Sequence, residues 1–250
     1  MKPKLSYTIW FTQRTGSTLL SKALESTGIA GNPREWFNCP PDLLSTFHKT
    51  DHAELQEYLW KIGTTSNGVF GIEHSFYEPH FIQLTETLRK FPACPPSAIK
   101  RTEVWESIFP NHRHIFMTRR NKVRLAVSWW RAIQSGEWHV PSNEPRKPVD
   151  LSNAYSYDAI HHLYDECSMR EAGIQELFAE GNIVPLTIVY EDFIQDYEGT
   201  VRTILDYLEP DSQSATIAPP ALTKTADAIS EEWVQRFREE RQRGWTNRGW

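Results

Sequence analysis

Cysteine is scarce in this 250-residue chain, and its three cysteines follow no pattern. Cys39, Cys94 and Cys167 are odd in number and lack metal-ligand spacing, which argues against a disulfide framework and against a cysteine-bound metal. No stretch approaches about 18 apolar residues, so the sequence predicts no membrane-spanning helix. The N-terminal residues lack the apolar core of a signal peptide. We therefore expect a reducing, cytoplasmic location.

An excess of positive charge is also missing. The formal net charge is −5 at pH 7, which argues against broad nucleic-acid binding because such binding requires a basic face. The hydrophobic fraction of 39% is typical of a globular domain. We find no internal repeat and no domain boundary, so we predict a single domain over residues 1–250. Ten tryptophans indicate a large aromatic core.

Short β-rich runs alternate with helical patterns along the chain. This alternation predicts an α/β fold with a central, mostly parallel sheet that helices cover on both faces. The predicted strands are 7–11, 68–72, 114–118 and 183–190. The predicted helices begin near residue 19 and then span 51–62, 81–91, 97–109, 123–135, 154–180, 192–208 and 226–242. Residues 136–150 lack periodicity and are predicted to form a long loop.

The loop after the first strand lacks a nucleotide-triphosphate motif. That motif needs two glycines and a lysine, whereas the loop TQRTGST contains only Gly16 and carries its positive charge on Arg14. A strand, a tight loop and a helix nonetheless direct backbone N–H groups and a helix N-terminus at an anion. With the hydroxyls of Thr15, Ser17 and Thr18, the loop is predicted to bind a phosphate. The alternative is an ordinary helix that Ser17 or Thr18 caps.

Positive charge gathers at a second strand end. Four cations surround the start of the helix that follows: Arg119, Arg120, Lys122 and Arg124. Cations there oppose the helix dipole, and a bound anion would reverse that unfavourable effect. Ser128 lies on the polar face of the helix, so Arg120 and Ser128 are predicted to close on one phosphate. The alternative is a solvated basic patch beside an exposed serine.

Together the two sites resemble those of sulfotransferases that use 3′-phosphoadenosine 5′-phosphosulfate (PAPS). In those enzymes an arginine, and a serine eight residues after it, hold the 3′-phosphate. The chain is most similar to the bacterial trehalose-type (carbohydrate) family. The matching stretches, between residues 8 and 242, are TQRTGSTLL, GNPREWF, TRRNKVRLAVSWWRAIQSGEW, VYEDF and ADAISEEWVQRFR. The resemblance implies a P-loop-like sulfotransferase fold with PAPS as co-substrate and no required metal.

The resemblance also implies roles for single residues. It implies that the first loop holds the 5′-phosphosulfate through Arg14, Thr15, Gly16, Ser17 and Thr18. It implies that Arg120 and Ser128 hold the 3′-phosphate. Arg14 is also expected to act in catalysis, by stabilising the charge that develops on the leaving phosphate oxygen.

A general base is implied by the same family, in which a glutamate follows the first helix. Glu35 matches it, and a positioned carboxylate contributes about 10²–10⁴-fold to such a reaction. From the residues alone, Glu35 is also compatible with a surface carboxylate paired with Arg34. Glu73 stands where the family has a lysine, which bears on acceptor contacts. His74 is either a second candidate base or a hydrogen-bonded structural histidine.

The implied acceptor is a hydroxyl group of a carbohydrate or a glycolipid, and the use of trehalose is left open. Trp138 and His139 in the predicted loop are expected to cover that acceptor. Amphipathic, tryptophan-bearing helices are compatible with a homodimer. Two other functions stay open: a nucleotide-dependent kinase with an atypical loop, which predicts magnesium dependence, and a non-catalytic protein that binds the nucleotide or a sulfated glycan.

Overall fold

Four parallel strands form the sheet of the computed structural model, which describes residues 2–37, 51–145, 149–208 and 215–249. The strands are β1 (Leu5–Phe11), β2 (Val69–Ser75), β3 (His112–Thr118) and β4 (Leu186–Val189). Their order in the sheet is β2-β1-β3-β4. Because all four strands run in parallel, their carboxyl ends meet at one edge, where α/β proteins bind ligands. The predicted α/β fold with a parallel central sheet is confirmed.

Nine helices lie in the described part of the chain. They are α1 (Ser17–Ser26), α2 (His52–Gly63), α3 (Glu78–Leu88), α4 (Arg101–Ile108), α5 (Lys122–Ser135), α6 (Tyr157–Gly181), α7 (Tyr190–Phe193), α8 (Tyr197–Leu208) and α9 (Ala228–Arg241). The predicted helices agree with these within about one turn, except at 192–208. There the Asp192 carbonyl accepts from the N–H groups of Gln195 and Asp196, and Asp196 then accepts from Gly199 to begin a new helix. The prediction of one continuous helix was wrong because the three residues 194–196 separate α7 from α8.

The two faces of the sheet carry different cores. On one face Trp10 packs with residues of α2, α3, α4 and α6, in a cluster rich in tryptophan and phenylalanine. On the other face Tyr7 and Ile9 pack with mostly aliphatic residues of α1 and α8. The predicted aromatic core therefore lies mainly on one side of the sheet. A third cluster joins α5, α6 and α9.

Two loops meet beyond the carboxyl edge of the sheet. The Ser142 N–H donates to the Ala221 carbonyl at 2.9 Å, and the Thr223 N–H donates to the Val140 carbonyl at the same distance. In the predicted loop 136–150, the described residues form no helix or strand apart from this bridge. Residues 146–148 and Cys39 lie outside the described residues. No described helix combines the length and the apolar character needed to cross a membrane.

Candidate active site

A cavity of about 460 Å³ opens at the carboxyl edge of the sheet. The first loop and the start of α1 form one wall, and one side of α5 forms another. Glu35 lines the cavity from the segment that follows α1, and residues 138–140 and 222–226 complete it. The two regions that the sequence analysis predicted to bind phosphate therefore border one space.

The start of α1 depends on a left-handed backbone. Arg14 has a φ of 66° and Gly16 a φ of 90°. A Cβ atom on Gly16 would lie 2.6 Å from the ring of Tyr190, so only glycine fits without a shift. Gly16 is the N-cap and offers no side chain to the N–H groups of the first turn. The alternative of a helix capped by Ser17 or Thr18 is therefore wrong, and these N–H groups suit an anion.

One of the predicted loop hydroxyls is turned away from the cavity. Thr15 is fully buried, and its hydroxyl donates to the Thr12 carbonyl at 2.8 Å. The residue stabilises the turn, so the expectation of a hydroxyl contact from Thr15 is corrected. Gly16, Ser17 and Thr18 do line the cavity.

Arg14 carries a positive charge into the cavity wall. Its Nε donates to the Ser128 hydroxyl at 3.1 Å, and its Nη1 donates to the Trp138 carbonyl. No carboxylate of the described residues forms an ion pair with it. Burial and, secondly, the nearby Arg119 lower the pKa of Arg14 to about 10. Burial and a neighbouring positive charge make the charged form of Arg14 unfavourable. A cation in such surroundings is suited to bind an anion.

Arg120 does not reach the cavity. Its guanidinium pairs with Asp192 at 2.8 and 2.5 Å, on side chains that are more than half exposed. The predicted closing of Arg120 and Ser128 is therefore not seen, since Ser128 contacts Arg14 instead. The sequence pattern identified the cation cluster but not which guanidinium groups face inward.

Two neighbouring arginines line the cavity in its place. Arg119 stacks over the Tyr190 ring at 4.8 Å, and burial lowers its pKa. Arg124 lines the cavity while pairing with Glu231 on α9 at 2.6 Å. The cation cluster is thus partly buried, with two of its arginines on the cavity wall, and the alternative of a wholly solvated patch is wrong.

The segment that carries Glu35 is tied to β2. The Glu73 N–H donates to the Arg34 carbonyl at 2.9 Å, and the Trp36 indole N–H donates to the Gly71 carbonyl at 3.3 Å. The Arg34 side chain pairs with Glu25 at 2.7 Å. These contacts fix the backbone on both sides of Glu35, whose side chain borders the cavity.

His74 lies away from the cavity, in the aromatic core. Its ring is fully buried near Trp10, Phe81 and Trp105, and neither ring nitrogen has a partner within the described part of the chain. Burial and, to a lesser extent, His80 lower the pKa of His74 to about 3. The residue is structural, so the interpretation of His74 as a second base is wrong, and so is the expected hydrogen bond.

The sequence analysis missed the segment 222–226 and the arginine that holds it. Arg131 on α5 is 5% exposed and donates to Asp227 at 2.7 Å, to the Thr225 carbonyl at 2.7 Å and to the Ser230 hydroxyl at 2.6 Å. Asp227 and Ser230 also form the capping box of α9. The Asp-x-x-Ser pattern signals that helix start, but not its partner on α5.

The family model of the Stf0 sulphotransferases matches residues 6–240. The chain belongs to the Stf0 sulphotransferase family. The predicted membership of a bacterial trehalose-type sulfotransferase family is thereby confirmed. A trehalose 2-sulfotransferase of Mycolicibacterium smegmatis is 28% identical over 95% of this chain and 96% of its own length. A trehalose 2-sulfotransferase of Mycobacterium tuberculosis is 28% identical over 94% of each chain.

A solved sulfotransferase structure has a similar fold. The enzyme from Alicyclobacillus acidocaldarius aligns with a TM-score of 0.51 and 15% identity over 94% of this chain and 91% of its own. This similarity supports the sulfotransferase fold. Among the described residues, no group of three or more His, Cys, Asp or Glu side chains is placed to hold a metal ion.

Proposed function

We propose that this sulphotransferase moves the sulfuryl group of PAPS to a hydroxyl of a carbohydrate, with Glu35 as the general base. One observation carries the proposal: Arg14, the uncapped start of α1 and Glu35 border the same cavity. Cationic and N–H donors suit the anionic donor molecule, and a carboxylate suits the proton that the acceptor hydroxyl releases. Because both named relatives are trehalose 2-sulfotransferases, trehalose is the first acceptor to test.

The donor end of the cavity is assigned to the first loop. The N–H groups of Gly16, Ser17 and Thr18 at the start of α1 are proposed to bind the 5′-phosphosulfate, together with the Arg14 guanidinium. Charge grows on the phosphate oxygen as the bond to sulfur breaks. A preorganised cation in a partly buried site stabilises that charge more than water does.

The 3′-phosphate is assigned to Ser128 and Arg120. Ser128 already borders the cavity, whereas Arg120 must exchange Asp192 for the phosphate. That ion pair is more than half exposed on both sides, so breaking it removes little stability. Arg119 and Arg124 supply further positive charge at the same end of the cavity.

The acceptor end is assigned to Glu35 and to the loop that carries Trp138 and His139. The acceptor oxygen forms its bond to sulfur as the bond from sulfur to the phosphate oxygen breaks, and its proton passes to Glu35. Adenosine 3′,5′-bisphosphate and the sulfated acceptor are the products. Aromatic side chains suit the apolar faces of sugar rings, and Trp138 lies in the cavity lining. No covalent enzyme intermediate and no metal are part of this proposal.

Two variants and their matched controls test the proposal. Glu35→Gln is expected to lower kcat about 10²–10⁴-fold with trehalose and PAPS, while calorimetry shows nearly unchanged affinity for adenosine 3′,5′-bisphosphate. Arg14→Ala is expected to lower that affinity about 10–100-fold. The controls are Glu57→Gln and Arg202→Ala, which keep both properties because neither residue borders the cavity.

Three other results would contradict the proposal. Lost nucleotide affinity in Glu35→Gln would make the residue structural rather than catalytic. Binding of ATP with magnesium, but not of adenosine 3′,5′-bisphosphate, would favour a kinase. Nucleotide binding without turnover of trehalose, other sugars or glycolipids would indicate a non-catalytic protein. A single domain over residues 1–250, a cytoplasmic location and a homodimer stay predictions.

A further inference from the structure

Glu73 is a buried carboxyl group that the proposed reaction leaves without a role. It lies on β2 and is 5% exposed. Its carboxyl group hydrogen-bonds with the hydroxyls of Ser21 and Ser17 on α1, and its Oε2 atom is buried with no partner among the residues that the structure describes. Ser17 itself borders the cavity. Glu73 therefore backs the wall to which the donor is assigned.

The same residue also contacts the segment that carries Glu35. The Glu73 N–H donates to the carbonyl of Arg34 at 2.9 Å, and Glu35 is the next residue along the chain. One residue of β2 thus contacts the start of α1 through its side chain and the Glu35 segment through its backbone.

Burial without a partner for one oxygen favours a protonated Glu73, since the side chain is 5% exposed and its Oε2 atom has no hydrogen-bond partner among the described residues. The Ser21 hydroxyl also donates to the Thr18 carbonyl at 3.2 Å. Hydrogen bonding with Ser21 and Ser17 lowers the pKa of Glu73, but by less than burial raises it.

The charges around Glu73 act in the same direction. Burial and the nearby carboxylate of Glu35 raise the pKa of Glu73 to about 8. Arg34 opposes this increase, but its guanidinium pairs with Glu25. Tyr7 on β1 faces the same corner and donates its hydroxyl to the Ala30 carbonyl, so it offers Glu73 no hydrogen.

We propose that Glu73 is a positioning residue that works as a neutral carboxylic acid, holding Ser17 and Ser21 at the donor wall and leaving the negative charge of this corner on Glu35. The inference rests on the proposed function, since it gives Glu35 the role of base. Loss of the proton from Glu73 places a second negative charge behind the anion site. Affinity for an anionic nucleotide must then fall at alkaline pH.

The first experiment detects the proton without using activity. The unliganded wild-type chain, with ¹³C-labelled glutamate side chains, is titrated by NMR. One carboxyl resonance is expected to stay at its protonated position to about pH 7 and to move with a midpoint near pH 8. Glu73→Gln removes that resonance, whereas the exposed control Glu57→Gln does not. If every glutamate titrates in the ordinary range near 4.5, the inference is overturned, even where Glu73→Gln fails to fold.

The second experiment measures the consequence for binding. Calorimetry with adenosine 3′,5′-bisphosphate is run between about pH 7 and 9, where the phosphates are already ionised and Arg14 keeps its charge. Wild-type affinity is expected to fall about tenfold across this range, and Glu73→Gln to remain flat. An equal fall in both proteins overturns the role of Glu73. Failure of the wild type to bind at any pH overturns the proposed function instead, and the NMR titration still decides the state of Glu73.

Discussion

Glu73 and His74 are neighbours on β2, yet they lie on opposite faces of the sheet and behave in opposite ways. Glu73 faces α1 and the cavity, where burial and Glu35 raise its pKa to about 8. His74 faces the aromatic core, where burial lowers its pKa to about 3. Both side chains are therefore neutral near pH 7, one by keeping a proton and the other by losing it. Burial penalises charge of either sign.

The comparison shows how the two faces divide their tasks. On the His74 face, aromatic side chains pack around His74, which has no polar partner among the described residues. The Glu73 face ends at the cavity, and its buried carboxyl hydrogen-bonds with Ser17, which lines the cavity. We infer that the first face supplies stability and the second positions the site. Three predictions test this division, in order of decreasing effect.

Trp10→Ala should have the largest effect, because Trp10 is the centre of the aromatic face. Its ring lies 5.5 Å from His74, 5.6 Å from Phe81 and 5.1 Å from Trp105. Removing a buried ring costs about 3–5 kcal/mol of unfolding free energy, which urea denaturation measures. The control Trp245→Ala, at a half-exposed site, should change it little. Equal losses in the two variants would contradict the assignment of stability to this face.

The pH dependence of stability should show the two neighbours separately. Between pH 4.5 and about 8 an unfolded chain has lost the Glu73 proton that the folded chain keeps, so stability falls as pH rises. Between pH 6.5 and about 3, His74 is protonated in the unfolded chain but stays neutral in the folded chain. Stability therefore falls as pH falls. Each group changes the unfolding free energy by about 1 kcal/mol per pH unit within its window.

Each single variant should remove one of the two pH dependences of the unfolding free energy and leave the other. Glu73→Gln is expected to flatten the alkaline side in urea denaturation measured at several pH values. His74→Phe is expected to reduce the acid side without abolishing it, because burial also lowers the pKa of His112. The two windows overlap between pH 4.5 and 6.5, so the decisive ranges lie outside that overlap. If Glu73→Gln changes the slope below pH 4.5 as much as the slope above pH 6.5, the two residues do not titrate as we describe.

The smallest effect concerns Arg120, which pairs with Asp192 outside the cavity. Arg120→Ala is expected to lower affinity for adenosine 3′,5′-bisphosphate about tenfold and to leave affinity for adenosine 5′-monophosphate unchanged, because only the first carries a 3′-phosphate. Asp192→Ala should raise the first affinity slightly by releasing Arg120. Calorimetry with both nucleotides measures this. A loss in Arg124→Ala but not in Arg120→Ala would move the 3′-phosphate role to Arg124.

Local patterns predicted most of the fold and part of the site. The loop around Gly16 and the cation cluster before α5 are visible as sequence because each is a short, continuous stretch. Arg119 stacks on Tyr190, Arg120 pairs with Asp192 and Arg124 pairs with Glu231, and all three partners lie far away in the chain. Spacing within one helix carries no information about such partners.

The amino-acid sequence by itself determined the order of strands and helices, the position of the loop around Gly16 and the family, since each rests on residues close together in the chain or on ordered motifs. Only the tertiary structure decided which groups share the cavity and which are charged. Glu35 and Arg14 meet there because β2 anchors the Glu35 segment. Glu73 and His74 are adjacent in sequence, but the alternation of side chains along a strand places them on different faces of the sheet. Their different surroundings determine their protonation states.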